Sequence, residues 1–132
     1  MNRLRGTFTI MAALLVGASC SDDAVTGAQA STVILHLTTP HADDGAVLFA
    51  VSGPPIDSAT ADNGRLRLFT RRSGETTIIG ALIGVVRNGA EVTLHVRDAG
   101  SPFAYTAQIV EVADRANALR GSLAGYALTP SR

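Results

Sequence analysis

The chain has 132 residues, which is the length of one domain. Hydrophobic residues make up 46% and charged residues 17%, and this composition excludes intrinsic disorder, which requires low hydrophobicity and high charge. All eleven basic residues are Arg and the formal net charge is zero, and these arginines do not form the basic stripe of a nucleic-acid-binding protein. We therefore expect one small folded domain that does not bind nucleic acid.

The first nineteen residues have the layout of a secretion signal. Arg3 and Arg5 provide a positive start, residues 8–16 are apolar except for Thr9, and small residues fill 17–19. This layout predicts a signal peptide over 1–19. The apolar stretch is too short for a transmembrane helix, which needs about 20 apolar residues.

The single cysteine, Cys20, directly follows these small residues. This arrangement resembles the lipobox of bacterial lipoproteins, which implies lipid on Cys20, export to the cell envelope and a membrane as partner. One position departs from the pattern, because Gly17 stands where the family prefers Leu, Val or Ile. The alternatives are cleavage after the later sequence Ala28-Gln29-Ala30 and a retained anchor. Residues 20–31 lack hydrophobic periodicity and predict a flexible tether, and Ser21 and Asp22 favour the outer membrane or a periplasm-facing location.

Residues 32–130 show the alternation of apolar and polar residues that is typical of β-strands. Turn signals recur every 8 to 13 residues between the alternating runs, which is the spacing of a sandwich or barrel. The run 78–86 predicts a central strand in which Gly80 and Gly84 allow close approach or bulges. The other predicted strands are 33–37, 47–51, 66–69, 92–96, 105–112 and 126–129.

Two local signals refine this prediction. Asn88-Gly89 predicts a two-residue hairpin, because a type I′ turn needs positive φ at both central positions. Asp114 predicts the cap of one or two helical turns over 114–119. The overall prediction is an all-β fold, an antiparallel β-sandwich, with an open barrel as the alternative.

Four stretches resemble the cohesin-like and carbohydrate-binding β-sandwiches of bacterial surface proteins. In chain order they are VILHLTT, GAVLFAVSGPPI, GRLRLFT and GAEVTLHV. The resemblance implies a nine-stranded, jelly-roll-like sandwich that serves as a scaffolding, dockerin-binding or sugar-binding module. No residue of a dockerin-binding face can be matched, and an aromatic content of 5% without Trp counts against sugar binding.

The polar residues offer two candidate metal sites. His41, Asp43 and Asp44 lie in one predicted turn, where carboxylates and backbone carbonyls suit Ca²⁺. The spacing of a calcium-binding loop is absent, so a solvated turn is the favoured interpretation. His36 and His95 lie mid-strand, and they would approach each other only if their strands were neighbours; two exposed histidines are the favoured interpretation.

A basic cluster surrounds the strand at 66–69. Alternation places Arg65 and Arg67 on one face of the strand, and Arg71 continues it. These arginines are a candidate patch for an anionic ligand or a protein partner. A solvated face with Asp and Glu opposite on the next strand is the favoured interpretation.

The sequence contains no pairing of nucleophile and base. Gly121-Ser122-Leu123-Ala124-Gly125 misses the spacing of a hydrolase nucleophile turn by one residue. We therefore expect a lipid-anchored, non-catalytic binding or structural module of the cell envelope without a cofactor, whose partner is an envelope protein or a glycan. The alternative is an accessory or inhibitor domain that presents a loop, such as 52–57, to a protein partner.

Overall fold

The computed structural model describes residues 31–61, 64–98 and 100–132. The predicted signal peptide, Cys20 and nearly all of the predicted tether lie outside the described residues. In the described part of the chain, no helix is long and apolar enough to cross a membrane.

The described residues form eight β-strands and one short 3₁₀ helix, so the all-β prediction is confirmed. The resemblance implied nine strands. The 3₁₀ helix spans Pro102–Ala104. The strands are β1 Ser31–Thr38, β2 Asp44–Ser52, β3 Ile56–Ala61, β4 Leu66–Arg72, β5 Thr77–Val86, β6 Glu91–Val96, β7 Thr106–Asp114 and β8 Ala127–Ser131.

The strands form two antiparallel sheets of four strands, consistent with a β-sandwich. Sheet A has the order β3-β6-β1-β8, and sheet B has the order β4-β5-β2-β7. Every connection except β4–β5 passes from one sheet to the other. Because the strands divide into two sheets, the open-barrel alternative is wrong.

One hydrophobic core lies between the sheets. It is built mainly from the buried Val, Leu and Ile side chains of alternate strand positions. Phe49 is the largest side chain with less than 2% exposure among the described residues, and its ring covers Gly80 on the neighbouring strand, where an added Cβ would lie 2.3 Å from the ring. Gly84 has φ of +138°, and an added Cβ there would lie 2.3 Å from the carbonyl oxygen of Arg65. Both glycines are therefore required by close approach, as the sequence predicts.

Two local predictions are wrong. Asn88-Gly89 does not close a hairpin, because it connects β5 of sheet B to β6 of sheet A. Residues 114–119 do not form a helix, although Asp114 does cap backbone groups: its Oδ1 accepts hydrogen bonds from the amides of Ala116 and Ala118. Asn117 then reverses the chain with φ of +64°, and Leu119 bridges back to Ala113.

The sandwich has two ends along the strand direction. The Ser31 end carries the start of β1 and the loop residues 53–55, 73–76, 97–98 and 100–105. The C-terminus lies there too, because the Arg132 side chain donates a hydrogen bond to the carbonyl of Gly100. The Asp44 end carries the loops 39–43, 87–90 and 115–126.

Candidate functional site

The outward side of sheet A is polar. Thr, Ser, His and Glu occupy almost all of its outward positions, and Ile34 is the one large apolar residue among those described. Strands β1 and β6 are neighbours, but the register pairs His36 with Glu91 and His95 with Thr32. The two histidines are thus about 13 Å apart along the strands, which is too far for a shared metal ion.

Each histidine is bonded to a neighbour on the same face. His36 Nδ1 lies 3.2 Å from Glu91 Oε1, and its Nε2 lies 2.8 Å from Ser131 Oγ. His95 Nε2 lies 3.1 Å from Thr60 Oγ1. These short side chains pair with one another across the strands and form a continuous hydrophilic surface.

The outward side of sheet B carries contiguous apolar residues, and we call these residues the apolar face. The exposed residues Arg67 and Arg71 of β4 and Gln108 and Glu111 of β7 lie on the same side of the sheet. Phe69 is 57% exposed, Val110 is 46% exposed and Ile83 is 43% exposed. Val110 is exposed because it is the extra residue of a β-bulge in β7. The apolar face comprises Ala46, Leu48, Ala50, Phe69, Ile79, Ala81, Ile83 and Val110.

A shallow depression of ≈ 230 Å³ lies on this face beside Phe69, between β4 and β2. Leu48, Ile79 and Ala81 line its floor. The depression exists because the side chains of the two central strands are small, and the phenyl ring of Phe69 forms its wall. Contiguous apolar surface bordered by polar residues is a common feature of contact sites between macromolecules.

The predicted basic patch forms one edge of the apolar face. Arg67 and Arg71 are exposed at outward positions of β4, whereas Arg65 precedes the strand. Opposite them on β5 lie Ile83 and Ile79. The expectation of acidic neighbours on the next strand is therefore wrong, and these two arginines border an apolar surface.

The densest polar cluster lies at the Asp44 end, where the Asp44 carboxylate is fully buried. Arg120 donates to Asp44 Oδ1 from Nε at 3.0 Å and from Nη2 at 2.8 Å. The Tyr126 hydroxyl donates to the same carboxylate at 2.9 Å, and the Thr39 hydroxyl donates to Oδ2 at 2.5 Å. Arg120 Nη2 also lies 2.6 Å from Oδ1 of Asp43. A buried carboxylate is stable only with such a set of donors.

These contacts shift the pKa values of the cluster. Burial raises the pKa of the Asp44 carboxyl, but hydrogen bonds from Thr39, Arg120 and Tyr126 outweigh burial, and the net pKa is lowered. The hydrogen bond from Arg120 lowers the pKa of Asp43. Hydrogen bonds to Asp44 and Asp43 raise the pKa of Arg120. All three groups are charged at neutral pH.

The predicted solvated turn is therefore wrong for Asp44, although His41 and Asp43 are exposed. The His41 ring lies 5.9 Å from the Tyr126 ring, so it packs on the cluster. Among the described residues, no group of three or more His, Cys, Asp or Glu side chains is placed to hold a metal ion. The guanidinium of Arg120 occupies the position at Asp44 that a cation would need.

Sequence reasoning missed Arg120 and Tyr126, the two main partners of Asp44. They follow Asp44 by 76 and 82 residues, and no local motif marks either one. The only available signal was a buried-strand pattern that begins directly after an Asp pair.

The predicted loop 52–57 lies at the Ser31 end, but only residues 53–55 form a loop, because β2 ends at Ser52 and β3 begins at Ile56. Pro54 and Pro55 line a depression of ≈ 410 Å³ together with Arg97, Asp98 and Ala104. Next to it, Phe103 in the 3₁₀ helix is 89% exposed.

Tyr105 follows this 3₁₀ helix and is buried. Its hydroxyl has no hydrogen-bond partner among the described residues. Burial, followed by the nearby charge of Asp98, raises the pKa of this hydroxyl. The Ser31 end thus contains a buried polar group that no described residue satisfies.

Comparisons with known proteins do not add a family to these observations. No family model matches the chain, and neither a curated protein nor a solved structure matches it significantly.

Proposed function

We propose that the protein is a non-catalytic binding module of the bacterial cell envelope, held at the membrane by lipid on Cys20. The apolar face is the observation that carries the binding part of the proposal. Phe69, Ile83 and Val110 are exposed on one open sheet face. Contact of these apolar side chains with water is unfavourable, so covering them with another surface lowers the free energy.

The polar cluster supports a non-catalytic role. Arg120, Tyr126 and Thr39 already donate hydrogen bonds to the Asp44 carboxylate. Both of its oxygens are therefore occupied, and neither is placed to exchange a proton with a substrate. The cluster lies between a loop and the C-terminal segment, a position that suits a structural role in joining the two.

The anchoring part of the proposal depends on the sequence pattern at Cys20. We would express the wild type and a Cys20→Ser variant in a bacterial host and measure intact mass and membrane partition. We expect an acylated wild type that begins at Cys20 and a variant that leaves the membrane fraction. Two soluble proteins that begin near Ser31 would contradict the anchor.

The binding part is tested by photo-crosslinking in the same cells. A photoreactive phenylalanine analogue at position 69 is expected to give crosslinked protein adducts. The matched control carries the analogue at Ile34, on the polar outward side of sheet A. Equal adduct yields at the two positions would contradict binding through the apolar face.

A second candidate is an accessory or inhibitor domain that presents its loops to a protein partner. The exposure of Phe103 beside Pro54 and Pro55 favours this candidate. The photoreactive analogue at position 103 separates the two functions, because the loop candidate predicts adducts there and few at position 69.

A further inference from the structure

We infer that the occupant of the apolar face is a second copy of this chain, packed face to face around a two-fold axis parallel to the strands. This inference rests on the proposed function, because it names the partner of the proposed binding face. Three features of sheet B support it: the charges on its two edges, the direction of its strands and its size.

The first feature is the charge on the edges. Strand β4 forms one edge and presents Arg67 and Arg71, while β7 forms the other edge and presents Glu111. All three side chains are exposed. The two edges are three strand spacings apart, about 14 Å, so the charges do not neutralise each other within one copy.

The register sets the height of these charges along the strands. Glu111 pairs with Leu48, Leu48 with Ala81, and Ala81 with Phe69. Glu111 is therefore level with Phe69, halfway between Arg67 and Arg71 on the opposite edge. Each arginine is displaced from that level by about 7 Å along the strand.

A two-fold axis parallel to the strands preserves height and exchanges the two edges. It places β4 of one copy over β7 of the other, with Glu111 of the second copy between Arg67 and Arg71 of the first. The symmetry repeats this cluster on the other side of the interface. An axis perpendicular to the strands would instead place β4 over β4, with arginine facing arginine.

The second feature is the direction of the strands relative to the tether. The described chain begins at Ser31, at one end of the sandwich. The parallel axis keeps the Ser31 ends of both copies on the same side, so two tethers can reach one membrane. The perpendicular axis would point the two tethers in opposite directions. Edge charge and anchoring thus select the same axis independently.

The third feature is the size of the face. Four strands and about seven residues along each give a surface of about 19 by 23 Å, which corresponds to about 900 Å² from both copies. This area is at the low end for specific complexes. We therefore expect a weak dimer that forms when anchoring confines the copies to one membrane.

The test uses the lipidated protein in cells. Cys20 is the single cysteine, and its lipidation leaves no other thiol, so an introduced cysteine alone reacts with a short bis-maleimide crosslinker. Ala81 lies near the axis, and its Cα is about 11 Å from the same atom in the second copy for sheets packed about 10 Å apart. We expect crosslinked dimer from Ala81→Cys and little from Ile34→Cys.

Charge reversal tests the axis. In the Ala81→Cys background, Glu111→Arg places three cations together and is expected to lower the crosslinked fraction about tenfold. Arg67→Glu with Arg71→Glu is expected to have a similar effect. Combining all three substitutions restores opposite charges only for the parallel axis, and is expected to recover the crosslinked fraction.

Two outcomes would overturn the inference: equal crosslinking of the Ala81→Cys and Ile34→Cys proteins, or insensitivity to Glu111→Arg. The binding module would survive this result if the photoreactive analogue at position 69 still gave adducts with a different protein. Loss of the protein from the membrane fraction of the same samples would identify failure of the anchor instead.

Discussion

The two ends of the sandwich differ in whether their buried polar groups have hydrogen-bond partners. At the Asp44 end, a fully buried carboxylate bonds to Arg120, Tyr126 and Thr39. At the Ser31 end, the buried hydroxyl of Tyr105 has no partner among the described residues, and Phe103 is almost fully exposed. One end therefore holds the sandwich together through a paired buried charge, while the other end is not optimised for stability.

The largest expected effect comes from breaking the Asp44 cluster. We expect Arg120→Ala to lower the free energy of unfolding by about 3–5 kcal/mol, because it leaves a buried carboxylate without its cation. Urea unfolding monitored by circular dichroism measures this change. The matched control is Arg115→Ala, which removes one exposed bond to the Ala42 carbonyl. Equal losses from the two substitutions would contradict a special role for the cluster.

Lowering the pH is expected to destabilise the Asp44 end as well, by less than Arg120→Ala does. Folding lowers the pKa of Asp44, so the contribution of its charge is fully present above the unfolded pKa of about 3.9 and is lost as the pH falls through the folded pKa. Unfolding free energies measured from pH 7 to pH 2 should show this loss. Asp44→Asn should lower the free energy of unfolding at neutral pH and make it less dependent on pH in the acid range. If the dependence on pH were unchanged in this variant, other carboxyl groups would be responsible for it.

The Ser31 end is expected to respond in the opposite direction. Tyr105→Phe removes a buried hydroxyl that lacks a partner and keeps the ring in the core, so we expect a gain of about 1 kcal/mol. Thermal unfolding should show a higher midpoint. A loss of stability would mean that the hydroxyl has a partner in solution, such as a bound water molecule.

The smallest expected effect is at Phe103. Because the ring is 89% exposed, we expect Phe103→Ser to change the free energy of unfolding by no more than about 0.5 kcal/mol. Chemical denaturation beside the wild type is sufficient to measure this. A loss above 1 kcal/mol would show that the ring packs against the domain and would remove the contrast between the ends.

Local alternation was sufficient to predict most strands. The run that contains Val92 and Leu94 predicted β6, and the glycines at 80 and 84 predicted close approach in β5. The helix prediction at Asp114 did not hold, because the same cap that starts a helix can also satisfy the amides of a turn. Asn88-Gly89 was ambiguous for a similar reason, since a tight turn can join two strands of one sheet or cross between sheets.

The candidate site was harder to predict because it depends on long-range pairing. The isoleucines opposite Arg67 and Arg71 follow from the β4–β5 register, which alternation alone does not set. Burial of Asp44 depends on Arg120, a residue 76 positions later. The periodicity of a sequence predicts whether a segment is a strand or a helix. These contacts depend on which elements pack together, and periodicity does not predict that.

The position of β1 has a consequence for the order of folding. This strand lies between β6 and β8, and His36 bonds to a residue 95 positions later. The first of the described strands to leave a ribosome or a translocation channel must therefore wait for almost the whole domain before both of its edges are covered. Such distant pairing slows folding and leaves an open strand edge during the delay. A holdase that binds extended, apolar segments is expected to retain nascent chains of this protein until β8 emerges.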